Sequence, residues 1–140
     1  GEVGLADHPE IGVMEVQLTE AGASGVFFDG LEDRFNCLQW HSAEVTKLPA
    51  DVQVLATSEK CAVQAMRWGT RAYSVQFHFE VEEDTVENWA GITEYKDALE
   101  VALGPTGVNI LQKKCLENMV NFKSNAERVY LNWMQTSART

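Results

Sequence analysis

The sequence has few of the residues that cross-link a chain or hold a metal ion. Among its 140 residues are only three cysteines, Cys37, Cys61 and Cys115, and three prolines. Three widely spaced cysteines form neither a disulfide framework nor a paired metal-ligand motif. Neither common form of the glycine-rich phosphate loop is present. We therefore expect no metal ion, no cofactor and a reducing cytoplasmic location.

Basic residues are also scarce. Eleven lysines and arginines face 21 aspartates and glutamates, which gives a formal net charge of −10. Nucleic-acid-binding proteins usually carry a basic patch, and none is visible, so we expect no nucleic-acid partner. No apolar run approaches the length of a transmembrane helix, so we expect no membrane partner. The length suits a globular domain with a hydrophobic core.

The two parts of the chain differ in their hydrophobic pattern. Residues 1 to about 80 are typical of strands and turns, and residues 81–140 are typical of helices. Strands are predicted over residues 11–18, 35–40, 52–56, 62–68 and 72–79, with a hairpin turn at Gly69-Thr70-Arg71. A helix is predicted to start near residues 82–84, where acidic side chains suit the positive end of a helix dipole. Its apolar face would contain Val86, Trp89 and Ala90.

The C-terminal part predicts two further helices. One carries an apolar stripe at steps of three and four, formed by Val108, Leu111, Cys115, Met119 and Phe122. Ser124 and Glu127 have the spacing of a capping box, which predicts that a separate helix starts there.

The most informative segment ends the last predicted strand. Successive side chains of a strand alternate between its two faces, so His78 and Glu80 should point the same way. A carboxylate beside an imidazole can orient the ring and stabilise its protonated form, as in the base-and-orienter pair of a nucleophilic enzyme. A half-buried antiparallel strand with a solvated face would give the same pattern without any function.

Two motifs resemble those of a known enzyme family. The segment Gln76-Phe77-His78-Phe79-Glu80 resembles the Q-F-H-P-E sequence of class I glutamine amidotransferases, with Phe79 where the family usually has proline. Trp40-His41-Ser42 resembles an upstream W-H-S element of the same family. The resemblance extends over roughly residues 1 to 90, and the amidotransferase domains of GMP synthetase and anthranilate synthase look similar there.

The resemblance implies an α/β fold, namely part of the flavodoxin-like layered sheet of this family with a C-terminal helical extension. It divides the chain into residues 1–95, the C-terminal portion of an amidotransferase-like domain, and residues 96–140, a helical extension packed on the same domain.

The resemblance also implies glutamine hydrolysis by a Cys-His-Glu triad. His78 would be the general base and acid, Glu80 would orient its ring, and the loop containing His41 and Ser42 would lie over the bound glutamine. The ammonia would pass to an acceptor on a synthase domain or subunit. Phe79 leaves both catalytic side chains in place, although proline fixes φ and phenylalanine does not.

The nucleophile is the component that the sequence does not supply. In the family it occupies a G-x-C-x-G elbow, and the surroundings of Cys37, Cys61 and Cys115 do not match it, so we expect all three to be buried structural residues. The elbow would precede residue 1, so we expect the chain to need the missing N-terminal half of the same domain. Without that half, the sheet should expose apolar surface and the chain should be inactive. A non-catalytic homologue that binds a small molecule or a partner, and a γ-glutamyl peptide hydrolase, remain the alternatives.

Overall fold

The computed structural model describes residues 1–138 and contains five strands and four helices. The strands are β1 (Glu2–Leu18), β2 (Arg34–Lys47), β3 (Val52–Thr57), β4 (Ala65–Trp68) and β5 (Ala72–Val75). The helices are α1 (Glu20–Ala23), α2 (Thr85–Ala90), α3 (Thr93–Leu103) and α4 (Gly107–Ala138). The predicted order of strands followed by helices is confirmed, and so is the α/β class.

All five strands belong to one antiparallel sheet with the order β2-β1-β3-β4-β5. The long strands β1 and β2 form its largest pairing, with a register shift between Leu5 and Glu10. The turn between β4 and β5 contains Gly69 at φ 61°, a left-handed conformation that glycine adopts without steric cost.

The last predicted strand is shorter than expected. β5 ends at Val75, and the predicted extension to residue 79 is wrong. The chain instead leaves β4 and reaches β2, where His78 and Leu38 exchange two backbone hydrogen bonds of 2.8 and 3.1 Å. The sheet is therefore curled, because a segment continuing from one edge strand contacts the opposite edge strand.

The strands and helices share one hydrophobic core. The strand side contributes the aromatic rings of Phe28, Phe35, Phe77 and Phe79, and the helical side contributes Leu99, Leu111, Cys115 and Phe122. Helix α3 starts at Thr93, so the predicted division after residue 95 falls inside a helix. That division stays a prediction.

The capping box predicted at Ser124 does not start a helix. Helix α4 runs unbroken through this position, and Ser124 is an exposed residue in its interior. The apolar stripe continues from Phe122 to Val129, which packs against the core. Packing of this stripe overrides the local capping pattern. Within residues 1–138, no helix has the length and apolar character needed to cross a membrane.

Candidate active site

His78 and Glu80 point the same way, as predicted, and form a hydrogen-bonded pair, although they lie beyond the end of β5. His78 Nδ1 lies 2.5 Å from Glu80 Oε1, and Glu80 Oε2 accepts a hydrogen bond of 3.0 Å from the Phe79 backbone N–H. Partial burial disfavours the charged carboxylate, but the hydrogen bonds from His78 and from backbone N–H groups outweigh it. The pKa of Glu80 is therefore below its ordinary value.

The ionised carboxylate determines which ring nitrogen of His78 can act on a substrate. A carboxylate only accepts hydrogen bonds, so the proton of a neutral imidazole lies on Nδ1. Nε2 then keeps its lone pair and can accept a proton. The pair remains accessible, since 31% of the His78 side chain and 68% of the Glu80 side chain are exposed.

Two buried phenylalanines hold His78 at the surface. Phe77 and Phe79 flank it in the sequence and are 2% and 6% exposed. The Phe79 ring packs against Phe35 at 5.1 Å and against Phe77 at 4.9 Å between centroids. Burial of alternate residues thus turns His78 and Glu80 outward. At position 79 a hydrophobic anchor stands where the resembled motif has proline.

The structure brings the two sequence motifs onto neighbouring segments. Trp40, His41 and Ser42 lie within strand β2 and not in the predicted loop, two to four residues after the Leu38 that bridges to His78. The Gln76 side-chain amide donates a hydrogen bond of 2.7 Å to the Ala43 carbonyl, directly after Ser42. Ser42 is exposed. The substrate-binding roles of His41 and Ser42 stay predictions.

The His41 ring lies against a buried carboxylate. Its Nδ1 is 3.0 Å from the Ala43 carbonyl, and its Nε2 is 3.3 Å from Glu10 Oε2. Both ring nitrogens therefore face acceptors, and only 9% of the side chain is exposed. The His41 ring is therefore enclosed by the protein, and it links β2 to β1 through Glu10.

Glu10 is the centre of a polar network that the sequence analysis missed. Its carboxylate is nearly inaccessible, and it accepts hydrogen bonds from Ser58 Oγ at 2.7 Å and Gln64 Nε2 at 2.6 Å. Burial disfavours its charged form, but the interactions with His41 and Ser58 prevail, so the pKa of Glu10 is lowered. Nothing in the sequence distinguishes Glu10 from the other acidic residues.

All three cysteines are buried, as predicted. Burial raises the pKa of each thiol: that of Cys115 to about 11, that of Cys37 well above its usual range with a further contribution from Glu10, and that of Cys61 to a lesser degree. A nucleophilic cysteine needs accessible thiolate, so these residues have the opposite environment. Over residues 1–138, no group of three or more histidine, cysteine or acidic side chains could hold a metal ion.

Comparison with known proteins identifies the family. Residues 5–88 match the profile of the family described as glutamine amidotransferase class-I. The chain belongs to this family. The recognition made from the two motifs is therefore confirmed, and so is the predicted fold class.

Individual relatives agree with that assignment. One subunit of the glutamine-hydrolyzing GMP synthase of Pyrococcus abyssi is 34% identical over 96 residues, which cover 64% of this chain and 50% of the relative. The corresponding subunit of Methanocaldococcus jannaschii is 32% identical over 102 residues, which cover 69% of this chain and 53% of the relative. A glutamine amidotransferase structure from Thermotoga maritima matches with a TM-score of 0.78 at 26% identity, covering 94% of this chain and 54% of that one.

The chain thus spans about half the length of these relatives. Next to its histidine–carboxylate pair lies an apolar groove of about 300 Å³ between β5 and α4. Glu80 lines one side of the groove, and Val75, Tyr130 and Trp133 line it with 42–57% of their surface exposed. Exposed apolar surface of this kind is typical of a ligand-binding groove or of an interface.

Proposed function

We propose that this chain supplies the general base and its orienting carboxylate for glutamine hydrolysis, with His78 as base and acid and Glu80 as orienter. The observation that carries the proposal is the hydrogen bond between His78 Nδ1 and Glu80 Oε1 in a member of the class I glutamine amidotransferase family. It leaves His78 Nε2 available at the surface.

The reaction would proceed in two steps. A cysteine thiolate attacks the side-chain amide carbon of glutamine, the carbon–nitrogen bond breaks, and the His78 imidazolium gives its Nε2 proton to the departing ammonia. A γ-glutamyl thioester results. Neutral His78 then removes a proton from water, the water oxygen attacks the thioester carbon, and the carbon–sulfur bond breaks. Glutamate is released, and the cysteine thiolate and the His78 imidazolium are restored.

The nucleophile would come from outside these 140 residues. Cys37, Cys61 and Cys115 are unsuitable because each is buried with a raised pKa. The structural unit that carries the nucleophile would be the missing N-terminal half of the same domain. It would cover the groove beside Glu80. The half-length match to the relatives supports this arrangement.

The ammonia would pass to a synthase domain or subunit. The GMP synthase relatives from Pyrococcus abyssi and Methanocaldococcus jannaschii are each one subunit of a glutamine-hydrolysing synthase, which supports a partner of that kind. On the segment next to His78, Ser42 would contribute its exposed side chain to the glutamine-binding surface. His41 would contribute through its backbone, because its ring fixes that segment against Glu10. A reducing compartment such as the cytoplasm would keep the catalytic thiol reduced.

Glutamate release from the purified chain tests the need for a second unit. We expect no glutamine-dependent release from the chain alone, and release when the nucleophile-bearing unit is added. Release by the chain alone that is lost in His78→Ala would show that a cysteine within the chain is sufficient.

Substrate comparison separates the alternatives. With both units present, glutamine should be hydrolysed faster than γ-glutamyl peptides. The reverse preference would identify a γ-glutamyl peptide hydrolase, and no reaction with either substrate would identify a non-catalytic binding homologue.

A further inference from the structure

The His78 ring contacts a tryptophan in addition to Glu80. Trp89 belongs to α2, which starts five residues after Glu80. Its ring centroid lies 5.0 Å from that of His78 with an interplanar angle of 76°, an edge-to-face arrangement. Val86 on the same helix is 1% exposed, so the core fixes the helix that carries Trp89.

Other rings hold Trp89 in turn. Trp40 contacts it edge-to-face at 5.4 Å and 72°, and Tyr95 lies 6.5 Å away at 68°. Trp40 and Tyr95 also contact each other at 6.2 Å. Trp40 is the first residue of the Trp40-His41-Ser42 motif, so Trp89 connects that motif to His78 through ring contacts.

A histidine side chain that is 31% exposed has a choice of rotamers unless neighbouring groups restrain its ring. The carboxylate of Glu80 restrains the Nδ1 side, but Glu80 itself is 68% exposed and can move away. An edge-to-face contact raises the population of the rotamer that makes it, relative to the other rotamers, by roughly two- to tenfold. Trp89 supplies that bias from a fixed helix.

We propose that Trp89 is a positioning residue for His78, which keeps the imidazole in the rotamer that directs Nδ1 at Glu80 and leaves Nε2 free. Its effect on catalysis rests on the proposed function, whereas its effect on the ring does not. Sequence pattern alone would assign Trp89 to the apolar face of a helix.

Nitrogen NMR of the His78 ring in the whole chain tests the effect on the ring directly. Trp89→Leu removes the aromatic ring, Trp89→Phe keeps one, and Trp68→Leu is the matched control, since Trp68 is 63% exposed on β4. We expect Nδ1-protonated His78 in the wild type, in Trp89→Phe and in Trp68→Leu. Trp89→Leu should raise the Nε2-protonated fraction at least roughly twofold.

A folded Trp89→Leu chain with the wild-type ratio of the two tautomers would overturn the proposal. If Trp89→Leu does not fold, the wild-type chain decides: the carbon-bound ring protons of His78 should show ring-current shifts and nuclear Overhauser contacts with the Trp89 indole. Absence of both would overturn the proposal equally.

Activity with the nucleophile-bearing unit present separates this inference from the proposed function. Trp89→Leu should lower kcat roughly two- to tenfold with little change in KM, and Trp89→Phe should restore most of it. Full activity of His78→Ala would contradict the proposed function but would not affect the conclusion drawn from the tautomers. If His78→Ala is inactive but Trp89→Leu keeps the wild-type tautomer ratio and kcat, the role of Trp89 is contradicted and the proposed function is not.

Discussion

Two histidine–carboxylate pairs lie on neighbouring segments of this chain, and they differ in their access to water. In the His78–Glu80 pair, 31% and 68% of the side chains are exposed, against 9% and 3% for the His41–Glu10 pair. A pair that a substrate can reach suits proton transfer. A pair enclosed by strands and hydrogen bonds suits the fixing of strand geometry.

Glu10→Gln tests the structural role of the buried pair. The amide keeps the size of the side chain but loses the charge that Ser58, Gln64 and His41 stabilise, so the free energy of unfolding should fall by about 1–3 kcal/mol. Glu15→Gln is the matched control, because its ion pair with Arg34 is more than half exposed and should contribute about 0–1 kcal/mol. Urea denaturation measures both, and equal losses would contradict this role.

Glu10 should also make the stability of the fold sensitive to acid. The pKa of Glu10 is lower in the folded chain than its ordinary value of 4.5. At a pH between the folded and the ordinary pKa, the unfolded chain therefore binds more protons than the folded chain. The stabilisation by Glu10 is therefore complete above the ordinary value and is lost as pH falls through the folded value. Glu10→Gln should flatten the dependence of unfolding free energy on pH below about 4.5.

That pH dependence is measured by urea denaturation at a series of acidic pH values. Parallel curves for the wild type and Glu10→Gln would contradict the assignment of the lowered pKa to Glu10.

These residues also mark what could be predicted from sequence. His78 and Glu80 were found because strand alternation and a short motif are local signals. Glu10 was missed because its partners Ser58 and Gln64 lie 48 and 54 residues away, and no local pattern encodes such contacts. Trp89 was recognised only as part of an apolar helix face.

At the scale of elements, helix α4 shows packing prevailing over a local signal. Near its C-terminal end, the buried Asn132 donates hydrogen bonds to the carbonyls of Phe27 and Asp29 at 3.2 and 2.8 Å. These bonds and the stripe through Val129 hold the second half of α4 on the same core as the first half. A break at Ser124 would redirect this half, so the capping pattern there is not used.

Ser124→Ala distinguishes a continuous helix from a capped one. In a continuous helix the change replaces an exposed serine by a better helix former, so stability should stay equal or rise slightly. An N-cap would lose about 1 kcal/mol. Thr19→Ala is the comparison, because the Thr19 hydroxyl caps α1 and also donates to the Val54 carbonyl. Thermal unfolding measures both, and a loss in Ser124→Ala as large as that in Thr19→Ala would contradict a continuous helix.

At the scale of the whole molecule, the predicted exposure of apolar sheet surface has a location in the structure. The groove beside Glu80 combines strand residues such as Val75 with helix residues such as Tyr130. The sequence predicted that such a surface should exist, because the resemblance covers only part of a domain. Its position could not be predicted, because it depends on how the end of α4 lies against β5.

Val75→Asp tests whether the nucleophile-bearing unit covers this groove. A charge placed in a desolvated contact should weaken association of the two units at least roughly tenfold. Val101→Asp is the matched control, since Val101 is 89% exposed on α3 and does not line the groove. Calorimetric titration of one unit with the other measures both variants, and equal affinities would contradict this docking surface.

The central claim is that His78 is the base of a glutamine-hydrolysing site, and steady-state glutaminase kinetics with the nucleophile-bearing unit present test it most directly. His78→Ala should lower kcat roughly 10²- to 10⁴-fold, because it removes the group that would transfer the proton to the departing ammonia. His8→Ala is the matched control, since His8 is exposed and lies outside the site, and it should keep the wild-type rate. A His78→Ala enzyme that turns over glutamine as fast as His8→Ala would contradict the claim.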